Sequence, residues 1–204
     1  MVARQKPVFI NCPFDAAYLP FFHAIAFTVS RCGFKPRCAL EVIDSGGTRI
    51  AKIEKIIEEC PLGIHDISRT ELGGNGLPRF NMPLELGLFL GAKRFGDKIQ
   101  ARKRCLVLDT EPYRYQIFMS DIAGQDIEAH GGKLETLIGK VRSFLNAAKR
   151  GAPLPSGAAI AAEYKTFQAA LPGICSELKV EADRLEFKDF VWAAAKWMSV
   201  NATG

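Results

Sequence analysis

The chain has 204 residues, of which 48% are hydrophobic and 24% are charged, and its formal net charge is +5. This composition is close to the globular average and excludes a disordered or collagen-like chain. No stretch approaches the roughly 20 consecutive apolar residues of a membrane-spanning helix, and the apolar run at 8–12 is too short for a signal peptide. We therefore expect a cytoplasmic protein with no membrane partner.

In chain order, the first half predicts three strands and three helices. Short β-rich apolar runs indicate strands, and apolar residues at helical spacing indicate helices. The predicted elements are a strand at 8–12, a helix at 16–32, a strand at 36–41, a helix at 48–60, a strand at 62–67 and a helix at 81–95. A glycine-rich loop at 69–80 precedes the third helix.

The second half continues the alternation. A fourth strand is predicted at 105–108 and an amphipathic helix at 133–149, with a brief fifth strand near Ile127 between them. Strands that alternate with helices are typical of a parallel sheet covered by helices on both faces. We therefore predict a doubly wound α/β sheet of four to five strands in a domain at 1–150.

A C-terminal helical extension follows a linker-like segment. Residues 151–157 (Gly-Ala-Pro-Leu-Pro-Ser-Gly) are expected to interrupt helical structure. Beyond them, 160–171 and 184–200 predict two helices, so we assign 151–204 to a helical tail. Its last helix is rich in aromatic residues, namely Phe187, Phe190, Trp192 and Trp197. These must be buried either against the sheet domain or in a homo-oligomer contact.

The cysteines and histidines show no metal-binding pattern. The six cysteines form no C-x-x-C pair, and the three histidines are His23, His65 and His130, far apart in the chain. We therefore expect buried free thiols in a reducing compartment and no metal. His65 lies on the opposite face of its predicted strand from Asp66, where we expect a core histidine.

Six basic residues lie in the twelve positions 93–104, with Asp97 as the single acid. This segment is typical of either a phosphate-facing patch or a solvated loop between two buried elements. No DNA- or RNA-binding motif accompanies it, so a nucleic-acid partner is not expected.

Ligands of open parallel sheets bind beyond the carboxyl ends of the strands, at a switch in strand order. The residues that follow the predicted strands are therefore the candidates for a site. They are Asn11, Cys12, Pro13, Phe14, Asp15 and Tyr18 after the first strand; Asp44, Ser45, Gly46, Gly47 and Arg49 after the second; Asp66, Ser68, Arg69, Asn81 and Glu85 after the third; and Asp109 with 113–115 after the fourth.

Glu85 is the most informative of these residues. It lies in the otherwise apolar segment 82–90, which is typical of a buried helix. A carboxylate there needs a partner, a raised pKa or a solvent-filled pocket. Asn81 is a suitable N-cap, but a capping box would need its acid at Leu84, so capping does not explain Glu85. Either Glu85 lies at the mouth of a ligand pocket, or it is a first-turn acid that complements the helix macrodipole.

The loop at 44–47 (Asp-Ser-Gly-Gly) precedes a predicted helix. Its glycines would let a phosphate or ribose approach the backbone, but a plain turn explains them equally well. The loop matches neither G-x-x-x-x-G-K-[ST] nor G-x-G-x-x-G, and we expect no cofactor. Arg49 is expected to hold a phosphate or to pair with Asp66 or Glu85.

Three segments resemble the nucleoside deoxyribosyltransferase-like and TIR-like superfamily. They are Val8-Phe9-Ile10-Asn11-Cys12-Pro13-Phe14-Asp15 with Tyr18, then Asp66-Ile67-Ser68, and Asn81-Met82-Pro83-Leu84-Glu85-Leu86-Gly87. The first resembles the superfamily's strand hydrophobic-Phe-Ile/Val-x-x-Pro-Phe-Asp, and the last its helix start Asn-Val-x-Tyr-Glu-Leu-Gly. The resemblance covers about residues 8–110.

The sequence also departs from the superfamily pattern. Pro83-Leu84 replaces the usual aromatic before the glutamate, and the aromatic that stacks on the base has no clear counterpart. Phe14, Tyr18 and Phe80 are the candidates for that role. The glycine-rich insertion at 72–78 is either a lid or a mobile loop.

The resemblance implies a flavodoxin-like sheet and cleavage or exchange of N-glycosidic bonds in nucleosides, nucleotides or NAD. It implies that Glu85 attacks or stabilises the anomeric carbon and that Asp66 helps to orient sugar or base. The expected ligand-binding residues are Asn11, Pro13, Phe14, Asp15, Tyr18, Asp44, Ser45, Gly46, Arg49, Ser68 and Asn81. Because many members bind nucleotides or mediate assembly without turnover, the alternative is a non-catalytic nucleotide-binding or assembly module.

Overall fold

The computed structural model describes residues 5–42, 44–70, 72 and 76–201. Within these ranges, five strands alternate with helices. The strands are β1 (Pro7–Asn11), β2 (Lys35–Arg37), β3 (Leu62–Asp66), β4 (Arg104–Asp109) and β5 (Ile127–Ala129). The α-helices are α1 (Leu19–Arg31), α2 (Arg49–Glu59), α3 (Asn81–Phe95), α4 (Leu134–Ala148), α5 (Gly157–Leu178) and α6 (Phe187–Asn201).

The five strands form one parallel sheet in the order β2-β1-β3-β4-β5. This is the flavodoxin-like order, so the predicted fold class is confirmed. The strand order reverses between β1 and β3, because β2 extends the sheet on one side and β4 and β5 extend it on the other. In this fold, ligands bind in the crevice beyond the carboxyl ends of the two strands at that switch.

β1 contributes to the hydrophobic layers on both faces of the sheet. Val8 and Ile10 belong to the larger layer, which includes α1, α4, α5 and α6. Phe9 points to the other face and packs with Ile56 of α2 and Phe89 of α3. Successive side chains of a strand alternate between faces, and a strand buried on both faces therefore reads as a continuous apolar run.

The C-terminal helices extend the layer on the α1 side. The ring of Phe27 in α1 lies 5.0 Å from Phe167 of α5 and 5.9 Å from Trp197 of α6, measured between centroids. Arg31 of α1 also forms an ion pair with Glu163 of α5, at 2.6 Å. Most of the predicted aromatic face therefore packs on the sheet domain, whereas the side chain of Trp192 is 70% exposed.

Two elements differ from their predicted bounds. β2 ends at Arg37 rather than at 41, because 39–41 turn into a short 3-10 helix in which Glu41 accepts a hydrogen bond from Arg37. α5 begins at Gly157, inside the predicted linker, and ends at Leu178 instead of 171. The side chain of Ser156 starts this helix by accepting a hydrogen bond from the backbone N–H of Ala159, at 3.1 Å.

All six cysteines are free thiols, and five of them are buried. In the part of the chain that the structure describes, no group of three His, Cys, Asp or Glu side chains could hold a metal ion. No described helix is both long and apolar enough to cross a bilayer.

Lys103 departs from both interpretations of the basic segment. Its side chain is 2% exposed, so at this position the segment is neither a solvated loop nor a phosphate-facing surface. The ammonium donates hydrogen bonds to the carbonyl oxygens of Ile57 and Cys60 at the end of α2. It also lies 4.8 Å from the ring centroid of Phe89. Burial lowers the pKa of this lysine.

We expect Lys103→Met to lower the free energy of unfolding by about 2–3 kcal/mol, because two buried carbonyl groups lose their donor while the apolar volume is kept. Urea denaturation measures the loss. Lys55→Met, on the exposed face of α2, is the matched control and should change stability by less than about 0.5 kcal/mol. Equal stability of the two variants would contradict the structural role of Lys103.

Candidate functional site

Asp66 ends β3 and lies in a buried polar cluster at the carboxyl edge of the sheet. Its Oδ2 accepts a hydrogen bond from the hydroxyl of Tyr18 and lies 3.3 Å from Nε2 of His130. Its Oδ1 accepts the backbone N–H of Ser68 at 2.9 Å. Nδ1 of His130 accepts the backbone N–H of Gly132 at 3.1 Å, which assigns the ring proton to Nε2, although Nε2 forms no hydrogen bond with a described residue.

This cluster joins α1, β3 and the end of β5. The carboxylate of Asp66 is 0% exposed, and Tyr18, Ser68 and His130 are each no more than 3% exposed. Protein groups therefore enclose the carboxylate of Asp66.

A second buried acid, Asp109, ends β4. Its Oδ1 accepts hydrogen bonds from the backbone N–H of Thr110 at 2.7 Å and from the guanidinium of Arg114 at 2.8 and 2.5 Å. Arg114 also donates to the carbonyl oxygen of Ser68 at 2.7 Å. Burial raises the pKa of Asp109, and the hydrogen bonds from Arg114 oppose that shift. The pair thus ties the end of β4 to the chain that follows β3.

Asn11 ends β1 and connects three elements. Its amide nitrogen donates to Nδ1 of His65, at 3.0 Å, and to the carbonyl oxygen of Met82 in α3, at 2.9 Å. His65 lies between the rings of Phe9 and Phe89, where burial lowers its pKa to about 3. His65 is thus a neutral core histidine, as expected, although its Nε2 has no hydrogen-bond partner among the described residues.

The loop after β1 is also engaged within the protein. Pro13 is buried, and Phe14 packs edge-on against Phe22 with 5.1 Å between ring centroids. The carboxylate of Asp15 forms an ion pair with Arg79, at 2.8 Å, and lies 3.6 Å from the guanidinium of Arg69. These contacts attach the loop after β1 to the loop that precedes α3.

Glu85, in the second turn of α3, differs from these acids. Its side chain is 7% exposed, and no described residue forms a hydrogen bond or an ion pair with its carboxylate. Burial raises its pKa to about 7, against an opposing effect of the positive charge of Arg49. Burial raises the pKa of the thiols of Cys12 and Cys38, which follow β1 and β2, and the charge of Glu85 adds a smaller effect in the same direction. Glu85 lies about one turn along α3 from Met82, whose carbonyl oxygen accepts a hydrogen bond from Asn11 at the end of β1, so it is near the carboxyl edge and the switch in strand order.

The start of α3 is not capped as predicted. α3 begins at Asn81, but Phe80 occupies the N-cap position with helical dihedral angles, and no side chain caps the helix. The N-cap assignment of Asn81 is wrong, because a preceding residue already in helical conformation moves Asn81 into the first turn. Asn81 is exposed, and so are the apolar side chains of Leu77, Phe80 and Leu84 around it.

Of the three candidates for base stacking, the structure leaves Phe80 exposed, whereas Phe14 and Tyr18 are engaged inside the protein. Residues 73–75 of the glycine-rich insertion at 72–78 lie outside the described residues, and Leu72 and Pro78 form an antiparallel bridge.

The loop at 44–47 is a turn with its own hydrogen bonds. Oδ1 of Asp44 accepts the backbone N–H of Gly46 at 2.8 Å, and the ammonium of Lys52 donates to the carbonyl oxygen of Asp44. Thr48 caps α2, because its hydroxyl accepts the backbone N–H of Ala51 at 3.3 Å. The plain-turn interpretation therefore explains Asp44 and Gly46, and Ser45 lies exposed between them.

A cavity of about 510 Å³ opens beside this loop. Its polar lining is Asp44, Ser45, Arg49, Lys52, His23 and Glu186, and its apolar lining is Leu19, Phe22, Ala39, Leu40, Val42, Leu185 and Phe187. The volume is in the range of small-molecule sites. Arg49 lines the cavity, and its charge also acts on Glu85. Arg49 forms no ion pair with Asp66 or Glu85 among the described residues, and Asp66 is bonded to Tyr18 and Ser68 instead.

Sequence reasoning missed two contributions to this region. His130 directly follows the short strand β5. Asp66 and Asp109 were selected because they end or follow predicted strands, and the same criterion selects His130 when the end of β5 is known. Residues 185–187 line the cavity although they lie far along the chain, in the helical tail. No local sequence signal predicts that contact, because it depends on how α6 packs.

The sequence matches no protein-family model and no curated protein. Flavodoxin-like sheets support many unrelated activities, so the fold alone does not define the function. Function has to be argued from the chemistry that Glu85 and its surroundings permit.

Proposed function

We propose that the protein is an N-glycosidase or glycosyl-transfer enzyme that acts on NAD, a nucleotide or a nucleoside, with Glu85 as the catalytic carboxylate. The observation that carries this proposal is the burial of Glu85 without a hydrogen-bonding or ion-pair partner among the described residues, at the edge where this fold binds ligands. Strongly perturbed acids of this kind cluster at functional sites.

The reaction explains why an unpaired carboxylate is useful. Cleavage of an N-glycosidic bond builds positive charge on the sugar ring, and a carboxylate held beside the anomeric carbon stabilises that charge. A pKa of about 7 allows Glu85 to lose its proton near neutral pH. A cationic transition state next to Glu85 lowers the pKa further, since opposite charges favour the ionised form.

The surrounding groups would bind the rest of the substrate. Arg49 and Lys52 line the cavity beside the N-terminus of α2, an arrangement that suits phosphate oxygens. Because Asp66 is enclosed by Tyr18 and His130, we assign it the part of holding the loop after β3 and the start of α1 in place.

The second candidate is a non-catalytic nucleotide-binding or TIR-like assembly module. The complete engagement of Asp66 by protein groups favours it, because Asp66 then offers no free oxygen to a substrate. The exposed side chain of Trp192 also favours it, since it lies on α6, for which a homo-oligomer contact was one of the two alternatives.

Chromatographic detection of free base separates the two candidates. The purified chain is incubated at high concentration with NAD, NADP, nucleosides and nucleoside monophosphates in separate reactions. Release of base from one of these supports the enzyme and names its substrate. Ligand-dependent thermal stabilisation by a nucleotide without any release favours the binding module. If none of these compounds gives either release or stabilisation, both candidates are removed.

A further inference from the structure

The basic segment at 93–104 lies at the amino edge of the sheet, opposite to the candidate site. α3 runs from Asn81, at the carboxyl edge, to Phe95, and β4 begins at Arg104 on the amino edge. In the intervening turn and 3-10 helix, residues 96–99, 101 and 102 are exposed, whereas Gln100 donates a hydrogen bond to the carbonyl oxygen of Glu58, at 3.1 Å. The proposed reaction uses no residue of this surface.

Four cations of the segment are exposed, and none is held in an ion pair within the described residues. They are Lys93, Arg94, Lys98 and Arg102. The single acid of the segment, Asp97, uses one carboxylate oxygen to accept the backbone N–H groups of Ile99 and Gln100, both at 2.9 Å.

Further positive charge adjoins the segment at the same edge. Arg104 donates a hydrogen bond to the carbonyl oxygen of Ala147, at 3.0 Å, which attaches the end of α4 to the segment. Lys149 and Arg150 follow that helix end and are exposed. They line a groove with Lys6 that has no acidic residue in its lining.

The carboxylates that face the segment come from α2. Glu54 and Glu58 line a shallow groove together with Asp97 and Gln100, on the α2 flank of the turn. The exposed cations of the amino edge outnumber these acids, so the surface is positive overall.

Two large apolar side chains lie among the cations. Phe95 is 86% exposed and Ile99 is 74% exposed, and the two are separated only by the turn that ends α3. Single exposed apolar residues are common, but two within five residues of a segment that also carries exposed cations without ion pairs are typical of a contact surface.

We propose that this basic-apolar surface, formed by Lys93, Arg94, Phe95, Lys98, Ile99 and Arg102, docks on an anionic membrane surface. Phe95 and Ile99 enter the boundary between headgroups and acyl chains, and the cations contact the lipid phosphates and carboxylates. Such peripheral docking needs no membrane-spanning helix, so it departs from the expectation of no membrane partner without conflicting with the described helices.

The apolar pair Phe95 and Ile99 favours a lipid surface over a nucleic acid as the partner. Aromatic rings stack on bases, so Phe95 alone would suit either partner. Ile99 is aliphatic, cannot stack on a base and gains only from transfer out of water. Docking through this surface would leave the carboxyl edge, with Glu85, facing away from the membrane.

Co-sedimentation with vesicles tests the proposal on the full chain. We expect binding to phosphatidylcholine vesicles that contain phosphatidylserine, little binding to phosphatidylcholine alone, and weaker binding as ionic strength rises. Phe95→Ser combined with Ile99→Ser should weaken binding at least about tenfold, because both side chains would otherwise leave water. Replacing the four cations by glutamine should weaken it about fivefold for each charge.

Matched controls use exposed residues of the helical tail. The first control replaces four exposed cations of the tail by glutamine and so removes the same charge elsewhere; the four are Lys165, Lys179, Arg184 and Lys188. The second control, Trp192→Ser, removes an apolar side chain that is 70% exposed. All these positions are exposed, and thermal unfolding verifies that each variant folds. The proposal is overturned if the chain does not bind anionic vesicles, or if Phe95→Ser/Ile99→Ser leaves the binding unchanged. Binding to a single-stranded oligonucleotide in place of vesicles would overturn it as well.

Discussion

Glu85→Gln should release base at a rate on the order of 10³-fold below that of the wild type at pH 8, with the fold unchanged. Glutamine preserves the shape of the side chain and removes the negative charge that would stabilise the developing cation on the sugar. The measurement is the rate of base release from whichever substrate the wild type cleaves. Glu54→Gln, an exposed glutamate of α2, is the control and should keep the wild-type rate. Retained turnover in Glu85→Gln would remove Glu85 from the mechanism.

The same substitution should also make the protein more stable, and only at higher pH. The pKa of Glu85 is about 7 in the fold, against an ordinary value of 4.5 for a glutamate side chain. Ionisation therefore destabilises the folded state progressively as the pH rises from about 4.5 to 7, and the whole cost is present above 7. Allowing for the water that still reaches the carboxylate, this cost is on the order of 2 kcal/mol.

Urea denaturation at two pH values measures the effect. At pH 8, Glu85→Gln should be more stable than the wild type by that amount, and at pH 4.5 the two should unfold at similar urea concentrations. A variant that loses activity and gains stability identifies a residue kept for function rather than for folding. A Glu85→Gln protein less stable than the wild type at pH 8 would instead indicate that the carboxylate has a structural partner.

The strands that hold the site could be predicted from the sequence because they are buried on both faces. In β1 and β3 nearly every residue of 7–11 and 62–66 is buried, the apolar residues occupy successive or alternate positions, and Pro13 limits the first strand. β2 was harder, since an edge strand of three residues has too few positions to show a pattern. Its true end depends on the ion pair between Arg37 and Glu41, which no periodicity reveals.

Glu85 could be singled out from the sequence because a charged residue in an apolar helix contradicts its surroundings. The partners of Asp66 could not, since Tyr18 and His130 are separated from it by 48 and 64 positions, and only the order of the strands brings them together. The burial of Lys103 could not be predicted from the sequence either. A lysine in a basic segment resembles its exposed neighbours, and only the carbonyl groups at the end of α2 explain its burial.

Asp66→Ala should lower the free energy of unfolding by about 3–5 kcal/mol, the largest stability effect we expect from one substitution. It leaves the hydroxyl of Tyr18 and the backbone N–H of Ser68 buried without their acceptor, and it removes the carboxylate that lies 3.3 Å from Nε2 of His130. Tyr18→Phe removes one hydrogen bond and should cost about 1–2 kcal/mol. Asp183→Ala, at an exposed acid, is the control and should cost less than about 0.5 kcal/mol.

Urea denaturation of the single variants and of the double variant Asp66→Ala/Tyr18→Phe measures the coupling within the cluster. Both substitutions remove the same hydrogen bond. The losses of unfolding free energy in the two single variants should therefore add up to more than the loss in the double variant. Additive costs would mean that the two side chains do not act together. If Asp66→Asn instead kept wild-type stability and lost base release, Asp66 would act on the substrate itself. The cluster would then have to open for the reaction, since the carboxylate is fully enclosed in this structure.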